Sequence, residues 1–153
     1  MITVFVDADA CPVKDEIYRV AKRLNLKVFV VANGRLTVPR DPMIELVVVA
    51  KGALDAADDW IAERADAASV VITQDIPLAA RCLAKGAKAL DPRGRAFTDE
   101  SIGDVLATRE LMAQLRDMGE VSGGPAPFMD KDRSRFLQSL DTVVQKMLKA
   151  RKS

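Results

Sequence analysis

The chain has 153 residues and a net charge of +1, and 49% of its residues are hydrophobic. This size and composition predict one ordinary domain, which buries about two-thirds of its unfolded surface and needs no disulfide or metal to fold. The sequence contains no histidine, which excludes serine–histidine and cysteine–histidine catalysis and histidine-ligated zinc. With two cysteines in the whole chain, any metal must be held mainly by oxygen, which favours Mg²⁺ or Mn²⁺.

The hydropathy and cysteine content of the sequence indicate the cellular compartment, and its charge distribution indicates possible binding partners. Low cysteine use, the lack of a signal-peptide pattern and the lack of a long apolar run predict a cytoplasmic protein with no membrane association. The charge is uneven, with a net of −5 over residues 55–75 and +5 over residues 131–153. This separation would allow a basic tail to lie beside an acidic site, although a solvated face with a frayed basic end is the simpler interpretation.

Short apolar segments alternate with amphipathic ones, which predicts an α/β fold. Strands are predicted at residues 2–6, 27–32, 44–49, 69–73 and 88–90. Helices are predicted at residues 12–24, 53–66, 77–86, 98–118 and 132–150, with Thr98 or Asp99 as the cap of the fourth and a loop at 119–127. We expect a three-layer fold, in which helices cover both faces of a mostly parallel five-stranded sheet. Residues 1–98 would form the sheet core, and residues 99–153 would form a C-terminal helical extension.

Aspartates follow the predicted strands at the carboxyl edge, where parallel sheets place their ligands. Asp7 and Asp9 follow the first strand, and Asp75 follows the fourth. The helix before the fourth strand carries Asp55, Asp58 and Asp59 on one face, in its first two turns. Singly, each aspartate is explained by helix capping or by the helix dipole. Together they repel one another unless a cation or raised pKa values relieve the repulsion.

These acids therefore predict a Mg²⁺ or Mn²⁺ site. A metal with bound water can attack a phosphodiester and stabilise the leaving oxygen, which makes Asp7, Asp58 and Asp75 the candidate catalytic residues. The candidate metal ligands are Asp7, Asp9, Asp58, Asp59 and Asp75.

The candidate substrate-binding residues are Arg93, Arg95, Lys14 and Asn33. Both arginines lie in or beside the predicted turn at residues 91–94, after the fifth strand. An arginine guanidinium can form two parallel hydrogen bonds with the oxygens of one phosphate. The expected partner is RNA or another single-stranded nucleic acid.

Asp7, the pair Asp58-Asp59 and the segment Thr73-x-Asp75 resemble the acidic motifs of the PIN-like nuclease superfamily. Four longer segments, which together span nearly the whole chain, resemble the YaiI/YqxD family: residues 7–14, 55–61, 72–78 and 124–128. The resemblance implies a PIN-like fold, with Asp7, Asp58 or Asp59, and Asp75 as metal ligands and Asp9 close by. Residues 57–61 and 71–75 also resemble the acidic motifs of bacterial 5′-nuclease domains. Those motifs have a glutamate where this chain has Ala56, with Asp55 one residue earlier, and this departure weakens the case for a two-metal site.

Two other functions fit parts of the sequence. The start of the chain, with Asp7 as nucleophile and Asp9 as general acid, matches a phosphohydrolase of the haloacid-dehalogenase type. In that family the second acidic pair follows the catalytic lysine, whereas here Asp58 and Asp59 precede Thr73, so the chain order opposes this assignment. The other alternative is a protein that binds metal or nucleic acid without catalysis. We expect Cys11 to be a structural thiol and Trp60 to belong to the core.

Overall fold

The computed structural model describes residues 1–50, 55–103 and 127–152. It contains a five-stranded sheet in the order β3-β2-β1-β4-β5, and every strand pair is parallel. The strands are β1 (Thr3–Asp7), β2 (Lys27–Ala32), β3 (Ile44–Val48), β4 (Ser69–Ile72) and β5 (Lys88–Leu90). The predicted α/β fold is confirmed, and the bounds of every strand lie within one residue of the prediction.

Helices flank this sheet. They are α1 (Lys14–Leu24), α2 (Ala56–Arg64), α3 (Ile76–Leu83), α4, which begins at residue 99 and is described as far as 103, and α5 (Asp130–Lys152). The predicted end of the fourth helix and most of the predicted loop at 119–127 lie outside the described residues. In the described ranges, no helix combines the length and the hydropathy needed to cross a lipid bilayer.

The two faces of the sheet support two apolar layers, because successive strand residues point to opposite sides. Val4 and Val6 of β1 belong to the layer covered by α1 and α5, to which α5 contributes Phe136 and Leu140. Phe5 belongs to the layer covered by α2 and α3. The helices therefore lie on both faces, as the alternating sequence pattern predicts.

Two helices begin later than predicted. A short 3-10 helix, Ala8–Ala10, follows β1, and α1 then begins at Lys14 instead of Pro12. In α2 the cause is the backbone of Asp55, which is left-handed with φ of 62°. A residue in that conformation cannot continue a right-handed helix, so α2 begins at Ala56 and not at residue 53.

The strand order reverses at β1, with β2 on one side and β4 on the other. Such a reversal opens a crevice at the carboxyl ends of the two strands on either side of it. Val6 of β1 pairs with Ile72 of β4, so the next residues in each chain segment, Asp7 and Thr73, lie side by side at the crevice.

The predicted turn after β5 is present and packs against α5. The backbone N–H of Gly94 donates to the carbonyl of Asp91 at 3.0 Å. The Asp91 carboxylate accepts from the N–H groups of Arg93 and Arg95, each at 2.9 Å. Gly94 has φ of 88°, and a Cβ there would lie 2.8 Å from the Ser139 hydroxyl oxygen.

We predict that Gly94→Ala lowers the free energy of unfolding by about 1–3 kcal/mol, because it combines a left-handed backbone with overpacking. The added Cβ would also lie 2.9 Å from the carbonyl oxygen of Arg135, which is backbone and cannot rotate away. The matched control is Gly34→Ala, whose Cβ meets no atom within 4 Å. Urea denaturation of the two variants measures the difference, and equal stabilities would contradict the packing described for the turn.

Candidate metal centre

Asp7, at the end of β1, is oriented by a hydrogen bond. The Thr73 hydroxyl donates to its carboxylate Oδ2 at 2.8 Å. Burial raises the pKa of Asp7, and repulsion from Asp9 and Asp75 adds to the rise, whereas the hydrogen bond from Thr73 opposes it. The carboxylate therefore lies among other acids, in a setting that favours its neutral form.

Asp75 is fixed by the start of α3. Its Oδ1 accepts from the backbone N–H of Leu78 at 2.9 Å, which makes Asp75 the N-cap, and Pro77 occupies the first turn. The backbone N–H of Asp75 donates to the Thr73 hydroxyl oxygen at 2.9 Å. Thr73 is 2% exposed, so this buried hydroxyl links the end of β1 to the start of α3.

Asp58 completes the group from the first turn of α2. The pKa of Asp58 is raised to about 6, chiefly by burial and also by repulsion from Asp75 and Asp7, a hydrogen bond with Asp75 and repulsion from Asp55. The structure therefore brings Asp7, Asp58 and Asp75 together from three separate elements. We refer to these three residues as the aspartate group.

The other predicted ligands lie around the aspartate group and have other partners. Asp59, which the sequence offered as an alternative to Asp58, is exposed and accepts a hydrogen bond from Arg81 at 2.8 Å. Asp9 is near enough to repel Asp7, but its Oδ2 accepts from the amide of Asn33 at 2.6 Å. Asn33 therefore contacts an acid of the site, and its predicted contact with substrate stays a prediction.

The aspartate group is not preassembled as a set of metal ligands. Across the described ranges, no three or more histidine, cysteine, aspartate or glutamate side chains already stand at a spacing that would hold a metal ion. The hydrogen bonds explain this, because Asp7 is oriented by Thr73 and Asp75 by the backbone of α3. A cation at this edge would therefore draw the three carboxylates closer together than they stand in the metal-free protein.

The structure separates the predicted basic residues. Arg93 is held by Asp132 of α5, with 3.7 Å between nitrogen and oxygen, and it lies 5.8 Å from the ring centroid of Phe128. The side chain of Arg95 is exposed. The Lys14 ammonium donates to the carbonyl of Cys11 at 3.0 Å, which closes the loop after β1.

Cys11 and Trp60 were expected to have structural roles. Cys11 is buried, and burial raises the pKa of its thiol, as expected of a structural cysteine. Trp60 packs edge-on against Phe5 and Phe29, with centroid distances of 6.0 and 5.5 Å, so its expected place in the core is confirmed.

The sequence did not identify Thr73 as the link between two of the acids. The available signal was its position two residues before Asp75 at a predicted strand end. Arg133 was missed as well: it donates to the carbonyl of Pro12 and lies 3.6 Å from Glu16. No local signal points to Arg133, because its partners are more than a hundred residues away in the sequence.

We predict that Asp58→Asn stabilises the metal-free protein at neutral pH but not at pH 4. A carboxyl whose pKa is raised to about 6 in the folded state contributes stability below its unfolded pKa of about 4, and loses that contribution as the pH rises through 6. Asparagine mimics the neutral form at every pH, so the advantage of the variant should grow between pH 4 and pH 7. Denaturant titrations across that range, with chelator present, measure it.

The matched control for this experiment is Asp59→Asn, the same change one residue along the same helix. The Asp59–Arg81 ion pair is about half exposed at both ends, so its loss should change stability little. A stability difference between Asp58→Asn and the wild type that stays constant from pH 4 to pH 7 would contradict the position of Asp58 among the other acids.

Comparison with known proteins gives the chain relatives along its whole length. A family model described as "Uncharacterized BCR, YaiI/YqxD family" matches residues 5–146. A UPF0178 protein of Rhodospirillum centenum is 54% identical over 155 residues, which cover 99% of this chain and 100% of that protein. A UPF0178 protein of Brucella ovis is 56% identical over 149 residues, covering 97% and 92%. No solved structure matches the chain. The chain belongs to the YaiI/YqxD family.

Proposed function

We propose that the protein is a divalent-metal-dependent nuclease that cleaves RNA or single-stranded DNA. The observation that carries this proposal is the convergence of Asp7, Asp58 and Asp75 at the point where the strand order reverses. Three carboxyl groups from three elements are unfavourable at one buried edge, and a protein gains from this arrangement when a cation binds there.

The donor set fits Mg²⁺ or Mn²⁺. These ions prefer carboxylate oxygen, and the described residues near the aspartate group offer no imidazole and no exposed thiol. Asp58 and Asp75 are close enough to share a proton, and a cation can take the place of that proton. Asp7, Asp58 and Asp75 would hold the ion, with Asp9 beside them. Asp59 is the less favourable candidate, because its carboxylate pairs with Arg81.

The residues of the chain then have separate tasks. Thr73 keeps one oxygen of Asp7 oriented, and the cap at α3 does the same for Asp75. Asp58, from the first turn of α2, would supply the third carboxylate to the ion. When bound, Mg²⁺ or Mn²⁺ would lower the pKa of water and offset the charge that builds up on the phosphate during cleavage.

The first prediction from this proposal is that millimolar Mn²⁺ raises the melting temperature of the wild-type protein, as a ligand specific to the folded state must. Asp75→Asn should melt higher than the wild type in chelator, because it relieves repulsion, and should lose the response to Mn²⁺. Asparagine is also a good N-cap, so the bond to Leu78 is retained and folding is preserved. Asp15→Asn, at an exposed position on α1, is the control and should keep the full response.

Calorimetric scans with and without Mn²⁺ measure these shifts. A wild-type protein whose melting temperature does not respond to millimolar Mn²⁺ would remove the metal from the proposal.

The second prediction is that the wild-type protein with Mn²⁺ cleaves labelled single-stranded RNA or DNA, and that Asp7→Asn lowers the rate by at least about a hundredfold. The reason is that asparagine keeps the shape of Asp7 and can still accept from Thr73, but it loses the negative charge. Asp15→Asn should cleave at the wild-type rate.

Gel analysis of the products, with chelator as a further control, measures the cleavage. Tight binding of Mn²⁺ and nucleic acid without cleavage would favour the non-catalytic binding protein over the nuclease.

A further inference from the structure

A cavity of about 460 Å³ lies directly beside the aspartate group. Gln74 and Ile76, the two chain neighbours of Asp75, both line it. The opposite wall is the segment that follows β5, from Asp91 to Phe97. A group bound in this cavity would therefore lie against the chain segment that carries Asp75.

The walls combine apolar surface with a few polar groups. The apolar wall residues are Pro12, Ile76, Pro92, Ala96, Phe97 and Phe128. The polar groups of the lining include the amide of Gln74 and the hydroxyl of Ser101, which also donates to the carbonyl of Thr98 and accepts from the N–H of Thr98. Small-molecule sites have this composition, and their volumes run from about 300 to 1,000 Å³. A nucleobase matches it, because its faces are apolar and its edges carry donors and acceptors.

The two arginines of the cavity differ in what they can bind. Arg93 is turned to α5, where it meets the buried Asp132 and the ring of Phe128. Arg95 is exposed, and its guanidinium makes no hydrogen bond or ion pair with the residues that the structure describes, although its backbone N–H donates to Asp91. A guanidinium on an anchored backbone, at the rim of an apolar cavity, is suited to bind a phosphate.

We propose that this cavity is a subsite for one nucleotide of a single-stranded nucleic acid, with the base inside and its phosphate on Arg95. The inference rests on the proposed nuclease function and adds to it the form of the substrate. A cavity of this size receives a base only when the base is unstacked and unpaired, so a single strand is the expected form of the substrate.

The test measures binding without metal, so that cleavage plays no part. Adenosine 5′-monophosphate, adenosine and inorganic phosphate are titrated separately into the full chain in chelator, followed by amide NMR shifts. The monophosphate should bind more tightly than either fragment, and should shift amides of residues that line the cavity. Arg95→Ala should weaken binding of the monophosphate about tenfold, because a charge-assisted hydrogen bond is lost.

Two further variants make the test specific. Arg19→Ala removes the same charge from an exposed position on α1 and should bind the monophosphate as the wild type does. Ala96→Trp fills the cavity from an exposed position and should abolish binding of the monophosphate while sparing inorganic phosphate. Melting curves confirm that each variant is folded.

The possible outcomes test the nucleotide subsite and the proposed nuclease function separately. Equal affinities for the monophosphate and inorganic phosphate, or affinities unchanged in both Arg95→Ala and Ala96→Trp, would overturn the subsite. Cleavage of single strands by the wild-type protein in the same preparation would then show that the nuclease survives without it. Specific binding of the monophosphate without cleavage would support the subsite and refute the nuclease.

Discussion

The Thr73 hydroxyl is a single buried group on which the geometry of the acidic edge depends. It accepts from the backbone of Asp75 and donates to the carboxylate of Asp7. A hydroxyl has one proton and two lone pairs, so while one lone pair of Thr73 accepts from the N–H of Asp75, its single proton is given to Asp7. The neighbouring strands β1 and β4 deliver Asp7 and Thr73 side by side, and the hydroxyl converts that adjacency into a fixed orientation of one carboxylate.

The repulsion among the carboxyl groups lowers the stability of the fold, and the apolar core offsets it. β1 and β4 are central strands with apolar residues on both faces, and Val4, Val6 and Val71 are fully buried. This core stabilises a fold whose carboxyl edge is electrostatically unfavourable, which is the expected relation between a rigid scaffold and a strained site. Asp58 shows the compromise, since its pKa of about 6 keeps the proton on its carboxyl to a higher pH than in an ordinary aspartate.

The sequence predicts the sheet well, whereas the spacing of its acids leaves Asp58 and Asp59 as alternatives at the site, for physical reasons. Strands are short apolar runs with clear borders, so pattern alone finds them. Which face of α2 meets the site depends on where that helix begins, and the left-handed backbone of Asp55 that delays its start is not visible in the pattern. The phase of the helix then directs Asp58 toward Asp75 and Asp59 toward Arg81, a distinction that residue spacing cannot make.

The sequence also did not distinguish the roles of Arg93 and Arg95. The residue that pairs with Arg93 and not with Arg95 is far from both in the sequence. Asp132, in the first turn of α5, takes Arg93 and leaves Arg95 at the rim of the cavity. Arg133, the residue after Asp132, donates to the carbonyl of Pro12, in the loop that follows β1. The start of α5 is therefore tied both to the loop after Asp7 and to the turn that carries Arg95. The C-terminal helix thus belongs to the architecture around the site, although it contributes none of the carboxylates.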